Sequence, residues 1–199
     1  MADQDWVSSF PQSDQIPFGG PGTALSTAAT ATISPMPTGA TADYNKAVAG
    51  QDWRPGKIIR VTARGFITTT GTSTTATFFL ATNIDNTGTT YVTLATTAGF
   101  ATGTGAVTGL QWDLLANIRC TAVATSGNTL STQGMLKIAT TLTPTMVTAS
   151  GLVVGIPNAS GESVAAVNTM RTQGIALRAT LAGANATIQC TQWILELMN

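Results

Sequence analysis

Residues 57–82 read KIIRVTARGFITTTGTSTTATFFLAT. Ile59, Val61, Ala63, Gly65 and Ile67 share one face of an extended chain, and Arg60, Thr62, Arg64 and Thr68 share the other. A period of two marks a strand with one buried face, because successive side chains point to opposite sides of a pleated backbone. Phe66 is the large apolar exception on the polar side. Glycine and small hydroxyl residues in TTTGTSTT interrupt the pattern before Phe78, Phe79 and Leu80 resume it, so the stretch predicts two strands joined as a hairpin. A β domain begins here.

The same grammar recurs downstream. Tyr91, Val92 and Leu94 predict a short strand, and residues 99–109, GFATGTGAVTG, read as a connector. In WDLLANIRCTAVAT, Trp112, Leu114, Ala116, Ile118, Cys120 and Ala122 fall inside, with Asp113, Asn117, Arg119 and Thr121 outside. Ser126, Gly127 and Asn128 supply a turn. Leu130, Gly134, Leu136 and Ile138 return on the inner face, with Gln133 and Lys137 outside, as a second long hairpin. A short strand is expected near Leu152–Val154. Ile175, Leu177, Ala179 and Leu181 then alternate with Arg178 and Thr180, and Gly183, Ala184 and Asn185 form a turn before ATIQCTQWILELM. There the phase slips: Ile188 and Cys190 set one face, Trp193, Leu195 and Leu197 the other. Either a β-bulge intervenes, or both faces are buried, one of them against another subunit. On the second reading Trp193 and Ile194 form an oligomer interface.

Residues 1–56 follow different rules. Pro11, Pro17, Pro21, Pro35, Pro37 and Pro55 forbid one regular element, yet apolar residues are spaced through the segment, which a solubilising linker does not need. The segment reads as an extended arm whose Trp6, Phe10, Ile16 and Phe18 suit separate shallow pockets on a neighbouring surface. Within it, TALSTAATATISP is itself a candidate added strand. The predicted organisation is thus an N-terminal arm, residues 1–56, and an all-β domain, residues 57–199. About eight strands with Gly/Pro-rich connectors and no convincing helix predict a β-sandwich of jelly-roll type, with an immunoglobulin-like sandwich as runner-up. Cys120 and Cys190 are expected to be reduced core residues.

Composition narrows function. Charged residues are 9% of the 199, nine basic against nine acidic, far below the usual quarter, so no basic patch for nucleic acid is expected. MADQDWVSSF lacks the apolar region of a secretory signal, and no run approaches the ~20 apolar residues of a membrane span. The chain contains no histidine, which removes Ser-His and Cys-His nucleophilic sites and most zinc sites. No cofactor, metal or catalytic residue is expected. Glycoside hydrolysis needs only two carboxylates, and Asp85, Asp113, Glu162 and Glu196 are present, but each reads as a turn or outward-facing residue. Trp53, Trp112 and Trp193 read as core anchors in preference to sugar-stacking platforms.

STAATATISPMP, WRPGKIIRVTARGFITTTGTSTTATFFLAT, the Trp112 strand with SGNTLSTQGMLKI, and IQCTQWILELMN occur in an order that resembles a family of virion structural proteins of tailed bacteriophages. The likeness covers most of residues 25–199. It implies a place in the virion, reached after synthesis in the host cytoplasm. The expected role is a capsid decoration (cement) protein, a homotrimer touching the major capsid protein and neighbouring copies of itself, with no nucleic-acid or membrane partner. The alternative is a tail-fibre or spike adhesin that binds host glycan, and a glycan-cleaving enzyme ranks third.

Overall fold

Period-two alternation becomes strand wherever it is sustained. The computed structural model describes residues 22–34, 47–48, 50–84, 91–139, 152–157, 162–171 and 173–198. Its strands are β1 (Thr30–Thr32), β2 (Ala47–Val48), β3 (Ile58–Thr70), β4 (Thr75–Ile84), β5 (Val92–Thr96), β6 (Phe100–Ala101), β7 (Ala106–Cys120), β8 (Asn128–Ile138), β9 (Leu152–Ile156), β10 (Ser163–Ala166), β11 (Gln173–Leu181) and β12 (Ala186–Met198). Among the described residues the only helix is a 3-10 turn at Gly50–Asp52. The expected connector over 99–109 is partly strand, since it contains β6 and the start of β7. The four residues of β10 are too short to show a period.

The chain is an all-β sandwich of two antiparallel sheets. Sheet A runs β10-β8-β7-β3-β12, with β9 also on β8; sheet B runs β1-β11-β4-β5, with β2 also on β11 and β6 also on β4. The expected hairpin of β7 and β8 is present, pairing Trp112 with Ile138 and Cys120 with Leu130. The hairpin expected in residues 57–82 is not. β3 lies between β7 and β12, whereas β4 lies between β11 and β5. Residues 71–74 therefore carry the chain from one sheet to the other.

β11 and β12 make the same crossing through 182–185. Because β3 pairs β12 and β4 pairs β11, the two crossings lie side by side, as one antiparallel ladder bent over the edge of the core. A third chain joins them. Leu25 exchanges backbone hydrogen bonds with Ile188 at 2.9 and 2.9 Å, and β1 pairs Thr30–Thr32 with Thr180–Arg178. The crossings satisfy one another: Thr70 N–H donates to Asn185 O (3.0 Å), Ala182 N–H to Thr75 O (2.9 Å) and Leu181 N–H to Ala29 O (3.0 Å). The candidate strand within residues 23–35 thus lies on this chain's own sheets, with Leu25 and Ile33 in its core.

Between the sheets, Ile59, Val61, Ala63 and Ile67 of β3 face Phe78 and Leu80 of β4 and Leu177 and Leu181 of β11, all buried. Phe78 meets Trp112 edge-on at 5.1 Å between ring centres and stacks on Phe100 at 6.0 Å, arrangements that suit the ring quadrupoles. Cys120 and Cys190 are both buried and form no disulfide, as expected. Burial pushes the Cys120 thiol up, opposed by its hydrogen bond to Ala122 O, which keeps it protonated and unreactive at neutral pH.

The phase slip in β12 is a bulge: pairing with β3 shifts between Cys190 and Gln192. One extra residue returns Trp193 and Leu195 to the face held by Ile188 and Cys190, and all four are buried in the core. Trp193 is therefore a core residue, fully enclosed within a single chain, and is not available to a neighbouring subunit. Ile194 stays on the outer face, half-buried.

Gly65 permits the closest approach in sheet A. A Cβ there would collide with Gln189 O and the Trp112 ring, and in a close-packed interior neither can yield without moving backbone or a buried indole. Gly65→Ala should lower stability by about 1–3 kcal/mol, the usual cost of overpacking, read as a fall in denaturation midpoint. Gly105→Ala, where a Cβ meets open space, should leave the midpoint unchanged.

Candidate interaction surface

The outer face of sheet A departs from the polar face of an ordinary antiparallel sheet. The ladders align Ile194 (β12), Thr62 (β3), Leu115 (β7), Met135 (β8) and Gly155 (β9) in one row, and Gln192, Arg64, Asp113, Lys137 and Val153 in the next. Leu115 is 47% exposed and Met135 42%. Phe66, Val153 and Val164 are also exposed large apolar residues on this sheet. Thr62, Arg64, Asp113, Leu115, Met135 and Lys137 line a shallow concavity of about 270 Å³.

Three ion pairs lie on this face, beside Lys137. Arg64 Nε lies 2.8 Å from Asp113 Oδ1, Arg60 3.7 Å from Glu196, and Arg119 2.9 Å from Glu162. Partners sit on adjacent strands or, for Glu162, just before β10, so the ladders fix their spacing. Glu162 also accepts a short hydrogen bond from the Ser131 hydroxyl. That bond, outweighing partial burial and helped by Arg119, holds the Glu162 carboxyl below its ordinary value.

On the outer face of sheet B, the Arg178 guanidinium lies 4.4 Å from the Tyr91 ring centre and 5.6 Å from that of Phe79, a cation–π arrangement. The Thr32 hydroxyl donates to Tyr91 Oη at 3.4 Å, and Thr30 and Thr180 share a hydrogen bond of 2.6 Å. Hydroxyl and aromatic groups are here held by β1, which belongs to the segment first read as arm.

The residues singled out in the sequence fall into separate groups. Trp6, Phe10, Ile16 and Phe18 lie outside the described residues. Trp53, Trp112 and Trp193 are buried, so none offers a ring to a sugar. Asp113, Glu162 and Glu196 each engage an arginine, not one another, and Asp85 lies outside the described residues. Among the described residues, no group of three or more cysteine, aspartate or glutamate side chains could hold a metal ion. Leu115 and Met135 were missed, because sorting each strand by its polar members passes over an apolar residue at an outward position. The signal was present: both break the alternation as Phe66 does.

Compared with known protein families, characterised proteins and solved structures, the chain matches none of them.

Glu162 gives this surface a pH dependence. A carboxyl whose pKa is lowered by folding adds stability above its unfolded value, near 4.5, and loses it as pH falls through the lower folded value. The stability difference between the native chain and Glu162→Gln should be constant from neutral pH down to about 5 and vanish in stronger acid, as followed by thermal unfolding across pH. Ser131→Ala should shrink it.

Proposed function

We propose that the protein is a bacteriophage capsid decoration (cement) protein, a sandwich of jelly-roll type that packs against the major capsid protein and against copies of itself as a homotrimer. The observation that carries this reading is the outer face of sheet A, where Phe66, Leu115, Met135, Val153 and Val164 stand exposed among three arginine–carboxylate pairs. A broad sheet face dotted with apolar side chains suits lattice packing. The jelly-roll reading is supported by the paired strands that cross between sheets together, β3 with β12 and β4 with β11. The trimer no longer draws on two apolar faces of β12, since the bulge accounts for them. It draws on Ile194 and its row neighbours Leu115 and Met135. The apolar residues ahead of Gly22, Trp6 and Phe10 foremost, supply the grip on the shell. Burial of the three described tryptophans removes the support that a glycan-binding adhesin would have drawn from them.

The test is addition of purified protein to capsids that lack it. A chain without residues 1–15 should fold normally and bind at least tenfold more weakly, the scale of a lost aromatic anchor. Ile194→Asp should leave the fold intact and reduce the trimer to monomers in sedimentation. Equal capsid binding by the shortened and full chains would exclude the arm as the grip, and a native chain that is monomeric both free and on the particle would exclude the trimer.

A further inference from the structure

The strands of sheet B carry a single charged residue, Arg178 of β11. In sheet A, Arg60, Arg64 and Arg119 each face a carboxylate; among the described residues Arg178 faces none. It has two aromatic rings instead. Its guanidinium carbon lies 4.4 Å from the ring centre of Tyr91 and 5.6 Å from that of Phe79, and its Nε is enclosed with no hydrogen-bond partner. Withdrawing part of a cation from water costs hydration. The negative faces of the rings return some of it, but they do not replace the planar acceptor that a guanidinium fork is shaped to meet.

The surroundings are hydroxyl groups. Strand pairing sets Thr32, Arg178 and Phe79 in one row across β1, β11 and β4, and Thr30, Thr180 and Thr77 in the next row on the same face, about 7 Å along the strands. Thr32 donates to Tyr91 Oη at 3.4 Å, so the phenol keeps its own O–H to give. Thr30 and Thr180 share one bond of 2.6 Å, which leaves one of the two hydroxyls with a proton to donate and both with open lone pairs. Thr30 is exposed, and Thr32, Tyr91, Arg178 and Thr180 are half-buried, so a ligand reaches the cluster from solvent.

We propose that this face binds a sugar acid, with Arg178 taking the carboxylate and Tyr91, Thr30, Thr32 and Thr180 taking the ring and its hydroxyls. The class of ligand follows from the groups present. A planar, singly charged carboxylate matches one guanidinium; a phosphate, which carries up to two charges, calls for a second cation, and the strands of sheet B supply none. Tyr91 offers an apolar ring with a polar tip, the combination that a sugar presents in reverse with its C–H face and O–H rim. An acidic protein side chain would engage the arginine and leave the hydroxyls to water, whereas a sugar acid engages both. The site needs none of the buried tryptophans, lies on the sheet opposite the apolar face, and does not rest on the capsid reading.

Titration of the full chain with sodium glucuronate and sodium galacturonate at fixed ionic strength, followed residue by residue in NMR spectra, tests it. At least one of the two should give saturable shifts at Thr32, Tyr91, Arg178 and Thr180, with glucose and acetate, which each lack half of the ligand, bound about tenfold more weakly. Arg178→Lys keeps the charge but loses the planar fork and should weaken binding of the sugar acid by about tenfold. Thr30→Val, at an exposed position, should weaken the sugar acid and leave acetate unchanged, and it serves as the second variant should Arg178→Lys disturb the fold. The absence of saturable shifts at these residues with both sugar acids would overturn the proposal, as would acetate binding equal to theirs. An oligoglutamate peptide that bound more tightly than either would overturn the sugar assignment and identify the face as a contact for an acidic protein.

Discussion

A chain that passes from one sheet of a sandwich to the other must leave its ladder and find new partners for the backbone groups it frees. A buried N–H or C=O without a partner costs about as much as a lost hydrogen bond, so the crossing is the point of greatest difficulty in the fold. Here it is solved collectively. The crossing of β3 into β4 bonds to that of β11 into β12, which in turn bonds to the chain between Leu25 and β1. No crossing is complete alone. The N-terminal strand is therefore a structural part of the sandwich, and the domain's working boundary lies earlier than the proline-rich grammar of residues 1–56 suggested. Trp53, buried in the same core, makes the same point from the other end of that segment.

The sequence declared each strand's inside and outside, because burial of one face imposes a period of two whatever the partner. Ile59, Val61, Ala63 and Ile67 were legible as core, as were Trp112 to Cys120 and Ile175 to Leu181. What alternation does not encode is which strand lies alongside. A hairpin and a crossing both place glycine and hydroxyl residues between two alternating runs, so residues 71–74 read equally well as either. The bulge at 190–192 was ambiguous for the same reason: an extra residue and a second buried face leave the same trace in sequence. The interaction face was partly legible. Phe66 announced itself on the polar side of β3, but the row joining Ile194, Thr62, Leu115 and Met135 spans four strands and exists only once they are in register.

Pairing also decides what the charges can do. An exposed ion pair contributes about 1 kcal/mol or less, so Arg60–Glu196, Arg64–Asp113 and Arg119–Glu162, with side chains 38–56% exposed, are minor terms in stability. Their larger consequence lies in the surface they leave. A charge facing an opposite charge across a strand spacing projects little field beyond a Debye length of ~8 Å at physiological salt, so these six paired charges contribute little attraction or repulsion at range. Recognition on such a face falls to shape and apolar contact, which act only after surfaces meet.

Edges complete the logic. A long, straight strand edge with open N–H and C=O groups is a template for pairing with any extended chain, and strands of 9 to 11 residues such as β4, β8 and β11 would present several. Covering each with two short segments limits the hazard, because strands of two to five residues present little continuous edge of their own. It also explains why the connectors of this chain, unpromising as sequence, contain β2, β6, β9 and β10: their position beside a long strand outweighs their weak propensity, since the strand they join supplies a row of unpaired hydrogen-bonding groups.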